Sequence, residues 1–497
     1  MVILDGDSLT IDDIRKVALL REKVIVSKEA MEKVSQSRSR LMKLKDEKVV
    51  YGVNTGFGAL LHKVITREDE ARLQENLLRS HASGVGVPFS EEYVRSMLLI
   101  RINSLIKGFS GVSPDLISRA VDLLNSDVVP FVPRYGSVGA SGDLAPLAHI
   151  GLTLMGEGHA YLGDSIHDSK NALAMAGLTP YHFGAKEGVS FINGTSAMSG
   201  ILAVDLDRAF RTFKSALVSA VLSFEALKGT SAAFTDWAIN ARKQPGQSRV
   251  AKAMRAMIED SQSIQETTRY KIQDPYTLRC IPQVYGAVLD TMEYTRDVVE
   301  REMNSVTDNP LIKDTEVVSA GNFHGEPVAL VADFLAIAFT DLGNMIERRI
   351  ARLTDESLSG LPPFLVENNG LNSGYMIPQY VAAALCNRNK TLCFPSSADS
   401  IPTSANQEDH VSMGTNSSIK FSEIVKNLED IVSIELLLGA QALELARVRH
   451  GTTAEKARQL VRSKVQRLVE DRPVYTDIQV VKGIMRSGAF LELCPEL

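Results

Sequence analysis

The chain has 497 residues, 44% of them hydrophobic and 23% charged, with a net charge of −6 and a mean hydropathy close to zero. That composition supports a substantial buried core and gives no electrostatic footprint for nucleic acid or an anionic membrane. The four cysteines, Cys280, Cys386, Cys393 and Cys494, lie far apart with no Cys-x-x-Cys pair, which argues against a disulfide framework or a zinc knuckle.

Taken in order, the chain starts without the basic and apolar segments of a signal peptide, and no uncharged run reaches the ~18 residues of a membrane span, so a cytoplasmic protein is expected. Residues 8 to 45 read as charged, periodic helix and carry no recognisable chemistry. Tyr51-Gly52-Val53-Asn54-Thr55-Gly56-Phe57-Gly58 is too rich in glycine for a core strand. Such a loop either half-buries its tyrosine as packing or exposes the phenol to a cavity, where its deprotonated form is a strong base. A helical stretch from about Arg67 leads into Leu77-Leu78-Arg79-Ser80-His81-Ala82-Ser83-Gly84-Val85-Gly86, and His81 at its end reads as a capped, solvated residue or as a ligand group.

Val129-Pro130-Phe131-Val132-Pro133-Arg134-Tyr135 is broken by two prolines and is not the strand of a dinucleotide fold. The glycines that follow it are trailed by no Lys-Ser/Thr and make no phosphate loop. Gly136-Ser137-Val138-Gly139-Ala140-Ser141-Gly142-Asp143-Leu144-Ala145-Pro146-Leu147 offers something else. Small residues at Ala140 and Gly142 let the Gly142 nitrogen curl back onto the Ala140 carbonyl. If that ring closes and Ser141 loses its hydroxyl as water, the product is a methylidene-imidazolone, an electrophilic alkene made from the polypeptide itself. Asp143 and Pro146 are helix-start residues, and Leu144, Leu147, Ala148 and Leu152 follow at helical spacing. The electrophile is therefore expected near a helix N-terminus, whose partial positive charge stabilises negative charge on the ring.

Further on, Glu187-Gly188-Val189-Ser190-Phe191-Ile192-Asn193-Gly194-Thr195 presents an asparagine in a turn. Residues 196 to 235, 328 to 355 and 419 to 450 are long alanine-, leucine- and valine-rich runs with few breakers, and helices apolar nearly all round must be buried among others. The expected fold is mainly α: a bundle of very long antiparallel helices over residues 201–497, and a smaller N-terminal loop-and-helix domain over 1–200 that carries the electrophile loop. Between the helices, Gln273-Asp274-Pro275-Tyr276-Thr277-Leu278-Arg279-Cys280 sets an arginine, the natural bidentate partner of a carboxylate, close to a tyrosine. Ser305-Val306-Thr307-Asp308-Asn309-Pro310 is a turn signature. In Gly321-Asn322-Phe323-His324-Gly325-Glu326-Pro327, His and Glu have no further ligand at helical spacing, and no metal site is expected. Ser404-Ala405-Asn406-Gln407-Glu408-Asp409-His410 carries a carboxylate suited to an imidazole N–H. The segment from Thr452 reads as solvated helix.

On these strings the chain resembles the aromatic amino-acid ammonia-lyases, from about residue 51 to about 420. The resemblance implies a methylidene-imidazolone formed from Ala140, Ser141 and Gly142 with no external cofactor, and a homotetramer whose active sites are shared between subunits. It also implies catalytic roles for Tyr51, Tyr276 and Glu408, with Tyr51 or Glu408 as general base and Tyr276 as a supporting hydroxyl. Substrate contacts are implied for His81, Asn193, Gln273, Arg279 and Phe323, with Arg279 as carboxylate clamp and Phe323 as a wall against the electrophile. Ser80-His81 and Gln407-Glu408 are similar to the histidine-specific members. The implied reaction is therefore deamination of L-histidine to trans-urocanate, the first step of histidine degradation. Gly156-Glu157-Gly158-His159 departs from the family pattern at His159, outside the inferred pocket. Tyrosine or phenylalanine lyases and aminomutases are the nearest alternatives. Fumarase-like lyases lack support, since no Gly-Ser-Ser-x-Met-Pro-x-Lys string occurs.

Overall fold

The computed structural model describes residues 1–56, 58–60 and 62–497, apart from the side chain of Ala59; Phe57, in the Tyr51–Gly58 string, lies outside them. The protein is mainly helical, with 61% helix against 8% strand. Among the described residues the strands form only sheets of two or three, too small to hold a core, so the helices must hold it.

The chain divides into two compact units. The first takes Met1–Asp207, Thr295–Asp333 and Pro395–Ile419. At its centre lies Glu91–Leu105, in which every residue from Tyr93 to Leu105 is buried. Its polar residues are satisfied from neighbouring segments: Arg95 donates to the carbonyls of Val17 and Leu124, and Asn103 to that of Met303. Around it pack amphipathic helices with legible boundaries. Pro114–Asn125 begins with a Ser113 hydroxyl cap and a proline at its first position, and buries Leu116, Ile117, Ala120, Leu123 and Leu124 on one face. Lys28–Glu47, capped by Ser27, buries Ala30, Val34, Ser37, Leu41 and Leu44 at three- and four-residue intervals.

The second unit takes Arg208–Tyr294, Phe334–Phe394 and Lys420–Leu497. Its core includes Phe213, Leu217, Val221, Phe224, Leu428 and Ile431, all fully buried. Within it Arg349 and Glu435 form a fully buried ion pair at 2.6 Å. Tyr285 accepts from Arg349 at 2.6 Å, and the hydroxyls of Ser219 and Ser223 donate to Glu435 at 2.5 and 2.8 Å. Removing one partner of such a pair leaves a naked buried charge at a cost of about 3–5 kcal/mol.

The expected long runs appear as Ser196–Ala226, Glu326–Thr354 and Gly414–Ala446. The first stops short of residue 235. Lys228 takes a left-handed φ of 51°, and a side chain at Gly229 would meet the Phe224 ring at 2.5 Å, so the chain turns there. Glu326–Thr354 is the one described helix long and apolar enough to cross a membrane. Two-thirds of its most apolar window is buried inside the protein, the pattern of a core helix.

Candidate active site

A cavity of about 680 Å³ lies within the first unit. Tyr51, Ser80, His81, Ser141, Asn193 and Glu408 line it, brought together from five separate stretches of chain, with Leu73, Leu77, Leu144, Val189 and Ile192 as apolar wall.

Ser141 reaches the cavity from a tight loop that depends on glycine. Ala140 and Gly142 pair as an isolated bridge across it, and Gly142 has a φ of +75°. A side chain at Gly142 would meet the Gly194 carbonyl oxygen at 2.2 Å, and one at Gly139 would meet Ser412 Oγ at 2.2 Å, so only glycine fits either place. The helix that follows, Leu144–Leu154, starts where expected, but the Asp143 side chain does not cap it. Its carboxylate instead accepts from Ser137 Oγ and the Met198 N–H, both at 2.8 Å, and from the Thr415 hydroxyl. Asp143 thereby pins the loop to two other segments, and its burial pushes its pKa up.

His81 is the last residue of Glu70–His81. Its Nδ1 lies 2.9 Å from the Leu77 carbonyl, which can only accept, so Nδ1 carries the proton and Nε2 is left as an acceptor. Ser80 Oγ, 3.0 Å away, braces the same nitrogen. Burial lowers the His81 pKa and keeps the ring neutral, against a smaller opposing pull from Glu408.

Glu408 is held at both oxygens. Oε1 accepts from Ser141 Oγ at 2.9 Å and Oε2 from Thr403 Oγ1 at 2.6 Å. The backbones of Thr403 and Glu408 exchange hydrogen bonds at 3.0 and 3.3 Å and close a turn. Inside it Ser404, Ala405 and Asn406 all have left-handed φ values, 50°, 52° and 66°. The phenol oxygen of Tyr51 accepts from the Gly58 N–H at 2.7 Å. Burial, with a contribution from Glu408, pushes its pKa up, which disfavours the phenolate in this arrangement.

Asn193 ends the short helix Glu187–Ile192 and is fixed on two sides. Its Nδ2 donates to the Asn309 carbonyl at 2.8 Å, and its own carbonyl accepts from Arg101 at 2.9 Å, while Oδ1 is buried without a partner. Behind it the fully buried pair Lys186–Asp308, at 2.9 Å, stiffens the same turn.

Six expected residues do not line this cavity: Ala140 and Gly142, which flank Ser141 in its loop, and Phe323, Gln273, Tyr276 and Arg279. Phe323 is half-buried in the first unit. Gln273, Tyr276 and Arg279 sit in the second unit, where Arg279 donates to Gln273 Oε1 at 2.8 Å and stacks 4.8 Å from the Tyr276 ring centre. No further ligand stands at helical spacing from His324 and Glu326, but folding brings His410 to them from a distant stretch. The Glu326 N–H donates to His324 Nδ1 at 3.3 Å, which puts the ring proton on Nε2, 3.4 Å from His410 Nδ1. The two imidazoles thus share a hydrogen bond.

Three contributors escaped sequence reasoning: Thr403, Asn309 and the Lys186–Asp308 pair. The turn signature at 305–310 pointed to the place of two of them without the role. Nothing in the sequence marks a lysine as buried.

The aromatic amino acid lyase family model matches residues 9–463. A probable histidine ammonia-lyase from Thermoplasma volcanium is 56% identical over 492 residues, covering 99% of each chain. The crystal structure of histidine ammonia-lyase from Trypanosoma cruzi superposes with a TM-score of 0.93 at 40% identity, covering 100% of this chain and 96% of that one. The tyrosine aminomutase from Streptomyces globisporus superposes equally well, with a TM-score of 0.94 at 35% identity and 99% and 98% coverage. Backbone similarity alone therefore does not separate the two chemistries; the side chains in the cavity must.

Proposed function

The chain belongs to the aromatic amino acid lyase family, and from that premise we propose that it is a cytoplasmic ammonia-lyase that converts L-histidine to trans-urocanate and ammonia. The observation that carries the choice of substrate is the placing of a neutral, acceptor-only His81 and the Glu408 carboxylate on one cavity. An imidazole N–H has a matching partner there, whereas a phenyl ring would leave His81 buried and unpaired.

The tripeptide suits a methylidene-imidazolone: Ala140 and Gly142 already pair across Ser141, and the close approach of Gly194 admits no side chain at Gly142. Formed from Ala140, Ser141 and Gly142, that group supplies an electron-poor alkene to the substrate's amine or ring. The protein's own residues do the rest. The proton to be removed lies on an unactivated carbon, so a base must be held against it. Tyr51 and Glu408 both line the cavity and are the two candidates for it. Asn193, fixed by Asn309 and Arg101, lines the cavity beside Ser141 and contacts the amino-acid head.

Gln273, Tyr276 and Arg279 complete the site from a neighbouring copy in a homotetramer, with Arg279 as the carboxylate clamp and Phe323 as a wall of the completed pocket. Arg279, already oriented by Gln273 and Tyr276, needs little further ordering to grip a carboxylate. The test is to incubate the purified protein with L-histidine and follow the ultraviolet absorbance of the conjugated acrylate. Growth of that band, lost in Ser141→Ala, is expected; a fully active Ser141→Ala protein contradicts the reading.

A further inference from the structure

Glu408 makes one contact for which deamination of an amino acid has no use. Its Oε1 accepts a hydrogen bond from the Ser141 hydroxyl at 2.9 Å. That oxygen must leave before the site can act, so the contact belongs to the chain before maturation and to no later state. We propose that Glu408 is the acid–base catalyst of the chain's own maturation, carrying the Ser141 Cα proton to Oγ so that the hydroxyl departs as water. The proposal rests on the reading of the site given above.

The step balances without an outside reagent. The Glu408 carboxylate accepts the Cα proton and becomes a carboxylic acid. It then donates that proton to Oγ as the Cβ–Oγ bond breaks and the Cα–Cβ double bond forms. One water leaves, and Glu408 ends as the carboxylate it was at the start. The other water comes from closure of the Gly142 nitrogen on the Ala140 carbonyl, which does not need Glu408.

Three features favour this assignment. A hydroxide is a poor leaving group, since water's own pKa is about 15.7, so an acid on Oγ is the natural device. Among the described residues lining the cavity, Glu408 is the only carboxylic acid. The other carboxyl group near the loop, Asp143, is committed to Ser137, Met198 and Thr415 and does not line the cavity. Finally, Glu408 is aimed by a turn that a mere packing segment would not sustain: three successive left-handed residues, with Thr403 Oγ1 holding the second oxygen at 2.6 Å.

The experiment measures the intact mass and near-ultraviolet absorbance of the full chain after expression and along a refolding time course. It compares wild type with Glu408→Gln, Glu408→Asp and Thr403→Val, with far-ultraviolet circular dichroism as the folding check. Wild type is expected to lose two waters. Glu408→Gln should keep the Ser141 hydroxyl, staying at least one water heavier than mature wild type, with the second loss slowed roughly 100-fold or more. Glu408→Asp and Thr403→Val should reach the mature mass late, which keeps the test decisive if Glu408→Gln misfolds. A folded Glu408→Gln that loses both waters at the wild-type rate overturns the proposal, as does wild-type timing in both other variants. Wild type that never loses water overturns the reading of the site itself, together with this proposal.

Discussion

His81 is defined by what its ring cannot do. With Nδ1 committed to the Leu77 carbonyl, it offers a ligand only an acceptor. His81→Leu should lower kcat/KM for L-histidine by roughly 5- to 150-fold, the 1–3 kcal/mol of a lost buried hydrogen bond, and narrow the gap to L-phenylalanine; steady-state kinetics on both substrates checks this. The pH consequence follows from the lowered His81 pKa. On acidification the unfolded chain takes up this proton first, near the ordinary ~6.5. The group's stabilising contribution is therefore full above that value and is lost as pH falls toward the lower folded pKa. His81→Gln should reduce the height of the kcat/KM profile between pH 6.5 and 8, a window set by that ordinary value, without changing its shape. An acidic limb of the wild-type profile inside that window that disappears in His81→Gln would contradict a neutral His81.

At the scale of elements, the loops are aimed by buried polar braces. Lys186 and Asp308 hold the turn behind Asn193, and Lys186 and Arg101 together keep the Asp308 carboxyl below its usual range despite burial. Lys186→Met should cost about 3–5 kcal/mol in urea unfolding, and adding Asp308→Leu should not recover it, because the buried Arg101 then loses its carboxylate. Gly142→Ala should block maturation outright, since its side chain would stand 2.2 Å from the Gly194 oxygen; an intact mass equal to the unprocessed chain is expected. These braces also mark how far the sequence could be read. The long helices were legible because runs such as 428–446 are apolar nearly all round and leave no alternative to burial. Tyr51, His81, Asn193 and Glu408 were legible as a set only through their resemblance to known strings, since each alone reads equally well as packing or surface. Thr403 and Lys186 were not legible, because a hydroxyl five residues from a glutamate and a lysine before a short helix have no signature until the chain is folded.

At the scale of the whole molecule, the second unit carries exposed large apolar side chains: Trp237 is 78% exposed, Ile272 95%, Leu371 87% and Phe394 80%. In the proposed homotetramer such side chains are candidates for burial between copies. Trp237 is the chain's single tryptophan, so it reports on its own surroundings. Dilution of the assembled protein should shift its emission to the red in step with loss of activity. Sedimentation of a fully active monomer would remove Gln273, Tyr276 and Arg279 of a neighbouring copy from the site.

The central claim is that a cavity with His81 and Glu408 selects an imidazole over a phenyl or phenol ring on a fold that serves both. Its most direct test compares kcat/KM for L-histidine, L-tyrosine and L-phenylalanine, each read by the absorbance of its own acrylate product. The cavity predicts L-histidine preferred over L-phenylalanine by at least roughly 100-fold, the margin that a site with buried polar groups imposes on a ring unable to pair with them. Equal or greater turnover of L-tyrosine or L-phenylalanine would contradict it and return His81 and Glu408 to the role of packing.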